Sequence, residues 1–209
     1  MELQIKEKEF LVLNHLDIFR SIMDIDPVHG STGLRSEEIV ACLLKFKEEG
    51  IVVKEMYEGR ERWKITPMGN KVANSYRQFI LAKTGQKEAI IKKCEEFEDL
   101  NVNLKELVTN WQMKIIDGIP IINDHSDPEY DSAILKQIFD LHENVIKTLE
   151  EMASIILMYK NYIKRLDLAI KKLREGEFNY LIKNKDSYHN VWFELHESIL
   201  KLWGRERME

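Results

Sequence analysis

Apolar residues recur at helical spacing along most of this chain. In FLVLNHLDIFRSIM, from Phe10 to Met23, they mark a first helix, which the proline and glycines of DIDPVHGSTG bring to an end. RSEEIVACLLKFKEEG marks another. Ser36 is placed as its N-cap, Glu37 and Glu38 suit the positive helix start, Gly50 supplies the stop, and Ile39, Leu43, Leu44 and Phe46 face a core. The period then changes: two β-favouring runs flank Tyr57-Glu58-Gly59 and predict a short hairpin. Thr66 and Pro67 open the next helix, as cap and first turn.

Beyond Thr84-Gly85 the pattern is helical. KEAIIKKCEEFEDLNVNLKELVTNWQMK predicts one long or two broken helices, and GIPIINDHSDPEY predicts a loop. DSAILKQIFDLHENVIKTLEEMASIILMY is amphipathic, with Ile134, Ile138, Leu141, Val145, Leu149, Met152 and Ile156 along one stripe. IKRLDLAIKKLREG, ended by Gly176, and DSYHNVWFELHESILKLWGRER supply two more helices. The expected fold is mainly α, with residues 1–84 forming a helix, helix, hairpin, helix domain and residues 85–209 a bundle of four helices.

The last helix raises a chemical question. His189, Trp192, Phe193, His196, Leu200 and Trp203 share one face, while Asn190, Glu194, Ser198 and Lys201 lie opposite. Burying an imidazole without a hydrogen-bond partner costs on the order of 1 to 3 kcal/mol, so each histidine needs a polar counterpart. The segment NDHSDPEYD, with Asp124, His125 and Asp127, is the one expected to provide it, although Asp127 before Pro128 also reads as a helix cap. Three arrangements follow. The histidines sit in a hydrogen-bonded core; or Asp124, His125, Tyr188, His189, Trp192, His196 and Glu197 enclose an anionic or polar small ligand; or His196, Glu197, Asp124 and His125 hold a metal between elements. One ion cannot hold both helical histidines, which stand about 10 Å apart along the axis. No metal or cofactor is assigned.

Composition narrows the classes. With 44% hydrophobic residues the chain has ample material for packed cores, and its two cysteines, Cys42 and Cys94, exclude a disulfide framework or a multi-cysteine zinc site. A reducing cytoplasm is the expected setting. No signal-peptide pattern opens the sequence, and no apolar run approaches the ~20 residues of a spanning helix, so no membrane partner is expected. Neither a glycine-rich phosphate loop nor a Ser-His-Asp or Cys-His constellation is present, which leaves an independent enzyme as the least expected class.

The N-terminal order, with LLKFKEEGIV followed by RWKITPMGNKV, resembles the winged helix-turn-helix of the multiple-antibiotic-resistance regulator type over about Glu7 to Phe79. One departure stands out. Where that family has a short positioning helix this chain has DIDPVHGSTGL, so that helix is expected to be deformed or missing. The resemblance implies DNA binding through Arg35 and the wing residues Arg60, Arg62 and Lys64. The charges agree poorly with it: the reading helix begins Ser36-Glu37-Glu38, and residues 1–80 hold 12 lysines and arginines against 13 acidic residues. Charged side chains on a hairpin also serve simply to blunt an edge.

FEDLNVNLKELVTNWQ, NDHSDPEYD and DSYHNVWFELHESILKLWGRER together resemble a set of bacterial proteins with an amino-terminal winged helix and a helical carboxyl-terminal domain, nearly end to end. The resemblance implies companionship with phosphoenolpyruvate-synthase-like phosphotransferases. At 209 residues the chain is too short to be such an enzyme itself. Two functions are expected. One is a noncatalytic accessory or regulatory subunit of a phosphoenolpyruvate-utilising phosphotransferase, with the winged helix as interaction module and the helical domain as sensor or docking element. The other is a cytoplasmic transcriptional regulator that binds DNA and senses a metabolite. The acidic start of the reading helix favours the first, and a homodimer is open in either.

Overall fold

In the computed structural model, which describes residues 5–116 and 118–206, Phe10, Val12, Leu13 and Leu16 turn inward from a helix, α1, at Glu7–Phe19. This helix stops earlier than its apolar pattern, because Arg20 takes a φ of 67° and redirects the chain. Ser21–Ile22 then form a two-residue strand, β1. The segment whose helix is expected to be deformed or missing forms a short one of seven residues, α2, at Asp26–Thr32. Pro27 stands in its first turn, where a missing N–H costs nothing, and Gly33 closes it at a φ of 71°. Ser31 of α2 is tied to His15 of α1 by an Oγ···Nδ1 hydrogen bond of 2.8 Å.

The next helix, α3, spans Ser36–Glu48. Arg35, not Ser36, is its N-cap residue, and Glu38 Oε2 accepts the Arg35 backbone N–H. Ile39, Leu43 and Phe46 are fully buried as expected, but Leu44 is half exposed. The hairpin consists of β2 at Val52–Tyr57 and β3 at Arg60–Ile65, joined through Glu58 and Gly59, both at positive φ as a tight two-residue turn requires. The three strands form an antiparallel sheet in the order β1-β3-β2, with Ile22 opposite Trp63 and Lys54 opposite it on the other side. Thr66 caps α4, Pro67–Thr84, its hydroxyl oxygen accepting the Gly69 N–H.

The second half begins with one unbroken helix, α5, at Lys87–Gln112. The expected loop that follows is instead a β-ribbon, β4 at Met113–Ile116 paired with β5 at Ile119–Ile122. Asp127 caps α6, Pro128–Ile155, by accepting the N–H groups of Glu129 and Tyr130, and every member of the predicted apolar stripe is buried. A break at Ile156, with no proline or glycine to announce it, separates α6 from α7 at Tyr159–Arg174. A 3-10 turn at Phe178–Tyr180 leads to the last helix, α8, at Tyr188–Trp203.

The chain divides into two compact units, one comprising residues up to Lys87 with the tail of α8 from Glu197, the other running from Glu88 to His196. The end of the chain thus belongs with the first unit. A buried ionic group explains that membership. Asp17 of α1 accepts from Arg77 of α4 at 2.7 Å and from Lys201 of α8 at 3.1 Å, while Asn14 bonds Arg77 and Ser198. Within the second unit, the first part of α8 makes polar contacts to α5, α6 and α7 in turn. Among the described residues no helix is long and apolar enough to cross a membrane.

Candidate functional site

The first half of α8 is buried nearly all round, which redistributes the roles its pattern suggested. Trp192 donates its indole N–H to Asn101 Oδ1 on α5 at 2.9 Å and stacks on Phe97 with ring centroids 4.7 Å apart. His196, also buried, meets Glu98 Oε1 through Nε2 at 2.6 Å. Tyr188 is fully enclosed. Its hydroxyl lies 3.4 Å from His142 Nδ1, and His142 Nε2 lies 3.1 Å from Asp167. Burial holds the His142 imidazole below its ordinary pKa, with the Asp167 carboxylate opposing that shift, and burial raises the Tyr188 phenol well above its own.

The polar face of α8 was misjudged. Glu194, expected in solvent, is buried on an ion pair with Arg165 of α7 at 2.7 Å and within 3.4 Å of the Tyr162 hydroxyl, whereas Phe193, expected inside, is 39% exposed. Position on a helical wheel fixes which residues share a face, not which face a neighbour supplies with a cation. His189 is half-buried, and its backbone N–H donates to Leu181. Glu197 is half-buried and belongs to the first unit.

The acidic segment expected to serve His196 is occupied with its own backbone and neighbours. Asp124 Oδ1 accepts from both the hydroxyl and the amide of Ser126, which holds its carboxyl below the usual range. His125 takes a φ of 60° and turns Nδ1 to Asp131 Oδ2 at 2.9 Å. Asn123 fastens the same corner. Its amide donates to Asp131 Oδ1 at 2.8 Å and to the Trp111 carbonyl at 3.0 Å, and its side-chain oxygen accepts the His125 N–H. The expected pairing of this segment with His196 is therefore corrected: α5, not the segment, provides the counterpart.

The segment nonetheless lines a cleft, a space of about 710 Å³ within the second unit. Its walls are Trp111 and Gln112 from the end of α5, Met113 and Ile122 from the base of the ribbon, Asn123 to His125, and Phe178, Asn179, Ile182 and Lys183. Trp111 lies tilted against His125 with ring centroids 4.5 Å apart and meets Phe178 at 5.8 Å. With Asp131 fixing the proton on Nδ1, the other imidazole nitrogen is an acceptor when the ring is neutral and a donor when it is charged. The cleft thus offers two aromatic faces, a lysine, an amide or two and an oriented imidazole, a set suited to a small polar or anionic molecule with a flat apolar part. Of the expected ligand residues, Asp124 and His125 are here; Tyr188, Trp192 and His196 are core.

Sequence reasoning missed Trp111, Phe178 and Lys183. Two of them carry a weak signal, an aromatic standing beside a turn rather than within a stripe. The thiols contribute no chemistry: burial raises the Cys42 pKa and pushes Cys94 up to about 12.

The basic residues assigned to DNA are each engaged by carboxylates. Arg60 pairs with Asp24 at 3.1 Å, Arg62 donates through Nε to Glu55 at 2.7 Å and covers the Tyr57 ring, Lys64 lies 3.9 Å from Glu55, and Arg35 lies 3.5 Å from Glu38. The exposed residues of α3 are Ser36, Glu37, Val40, Ala41, Leu44, Lys47 and Glu48, with Leu44 50% exposed. Scans against protein-family models, curated proteins and solved structures return no match to the chain.

Proposed function

We propose that this protein is a noncatalytic accessory or regulatory subunit whose N-terminal unit is a winged helix used to grip another protein. The exposed face of α3 carries that reading. Base recognition wants arginine, lysine, asparagine or glutamine on this face, and phosphate contact wants free cations around it. Of these only Lys47, in the last turn, is exposed on α3, while Glu37, Val40, Ala41 and Leu44 form an apolar stripe with an acidic start, the composition of a small protein-binding surface. Support for the winged-helix reading comes from the order α1-β1-α2-α3-β2-β3-α4 and the sheet order β1-β3-β2. The cleft beside Trp111 and His125 is the sensing element.

The partner implied by the sequence resemblance, a phosphoenolpyruvate-utilising phosphotransferase, is the first to test. Co-elution of the full chain with such an enzyme, compared with the Leu44→Glu variant, addresses the surface directly. Leu44 is half exposed, so the variant keeps its melting temperature, and loss of co-elution is the expected result. Equal co-elution of both forms removes α3 from the contact, and no co-elution of either removes this partner.

The second reading, a DNA-binding regulator, draws on the same order of elements and on Arg60, which sits on the hairpin with its guanidinium largely exposed. It requires Arg60, Arg62 and Lys64 to exchange their carboxylate partners for phosphates.

A further inference from the structure

The ribbon β4–β5 stands out from the second unit with both faces in solvent. Ile115 and Ile122 on one face are 77% and 79% exposed, and Ile116, Ile119 and Ile121 on the other are also exposed. A two-stranded ribbon with no covering layer is marginal by itself. Its five isoleucines leave on the order of 500 Å² of apolar surface in water, at the upper end of what a monomer's largest patch shows.

The hydrogen-bond phase of the ribbon decides which of its edges can take another strand. Asn123 N–H donates to the Gln112 carbonyl at 2.8 Å, so residues 112 and 123 form a hydrogen-bonded pair just beyond Met113 opposite Ile122. Alternation then makes Lys114 with Ile121, and Ile116 with Ile119, the hydrogen-bonded pairs. The N–H and C=O groups of Met113 and Ile115 point to the outer edge of β4, and those of Pro120 and Ile122 to the outer edge of β5. On β5 the proline removes an outward donor and blunts that edge. On β4 the Tyr130 hydroxyl, shared between the Asn110 carbonyl at 3.0 Å and the Met113 carbonyl at 3.3 Å, covers the latter, and Ile115 has both an outward donor and an outward acceptor.

We propose that the ribbon is a dimerisation arm, joining a second copy of this chain through antiparallel pairing of β4 with β4 centred on Ile115. The two Ile115 residues exchange N–H···O=C bonds across a two-fold axis, which is the self-complementary contact such an axis demands. In this register Lys114 faces Ile116 of the second copy and the two lysines stay apart; each also has its ammonium 5.0 Å from its own Tyr130 ring. The pairing makes one four-stranded sheet in which Ile115 of each copy lies beside Ile115 of the other on the same face. A lipid surface is a poor alternative, because the ribbon from Met113 to Ile122 carries a single cation, Lys114, whose ammonium lies over its own Tyr130 ring.

Sedimentation of the full chain from about 1 to 100 μM tests this, with Ile115→Pro as the decisive variant. Its missing N–H is the outward one, so β4–β5 pairing and the melting temperature survive while the dimer dissociation constant rises by more than about tenfold. Ile115→Cys provides the independent measurement. A hydrogen-bonded antiparallel pair holds its Cα atoms about 5.5 Å apart, within disulfide range, and Cys42 and Cys94 are buried, so oxidation yields a covalent dimer of the variant alone. A wild-type chain that is monomeric at 100 μM overturns the proposal, whether or not it binds lipid vesicles. So does a dimer indifferent to Ile115→Pro whose Cys variant fails to cross-link.

Discussion

Replacing His196 by alanine tests the packing of α8 where it is most specific. The ring is buried, and its Nε2 lies 2.6 Å from a carboxylate, Glu98, that is itself one-third exposed. A hydrogen bond to a charged group contributes roughly 1.5 to 3 kcal/mol, and truncating a buried ring adds a cavity term of similar size. Glu98 can recover water once abandoned, which keeps the total toward the lower end, about 3 kcal/mol. With an m-value near 2 kcal/mol/M in urea, the midpoint of helix loss should fall by about 1.5 M. His196→Phe preserves volume beside Phe97 and Trp192 and should cost about half as much. Circular dichroism of urea-unfolded wild type and both variants is the assay. An alanine variant within about 0.5 kcal/mol of wild type would refute the reasoning, since neither the bond nor the packing would then be holding α8.

Further outcomes follow from other buried groups. His142 has its pKa lowered on folding, so the unfolded chain binds more protons in the window below the ordinary histidine value; stability is full above about pH 6.5 and declines as pH falls through it, and His142→Gln should flatten that part of the stability profile measured by thermal melting. Asp17→Ala leaves Arg77 buried without its carboxylate and should destabilise the first unit by about 3 to 5 kcal/mol in urea unfolding. Gly69→Ala forces a methyl group against the Ile51 carbonyl and Ile65 side chain, for a loss of about 1 to 3 kcal/mol, read as a lower melting temperature. Trp111→Ala should abolish any rise in melting temperature that phosphoenolpyruvate or a related small anion produces, and an undiminished rise would place the ligand outside the cleft.

Much of the fold is legible where local chemistry and burial agree. Thr66-Pro67 and Asp127-Pro128 announce helix starts through side chains that cap their own backbones, and both do so. The α6 stripe is long enough that its period alone fixes its buried face. Errors arise where a distant neighbour decides. Glu194 is inside because Arg165 waits there, and no pattern within α8 records that. The break at Ile156 carries no proline or glycine. The ribbon is a different case. Asp117-Gly118 between two isoleucine-rich runs is a hairpin signal, overlooked because the run continues into the polar turn before α6. Demanding a partner for each inward imidazole holds good for His196, and the same demand would have found His142, which lies on the α6 stripe between Ile138 and Val145. Where that partner stands in the chain is a tertiary matter that one sequence does not encode locally.

The account rests on α3 presenting its apolar face to a protein rather than to a groove of DNA. Fluorescence anisotropy of a random duplex titrated with the full chain, at low and at moderate salt, bears on this most directly. The expected result is weak association with little salt dependence, because the cations of the β2–β3 hairpin already have carboxylate partners. An affinity that falls steeply as salt rises, and that Arg60→Ala with Arg62→Ala removes, would contradict it and make the protein a DNA-binding regulator.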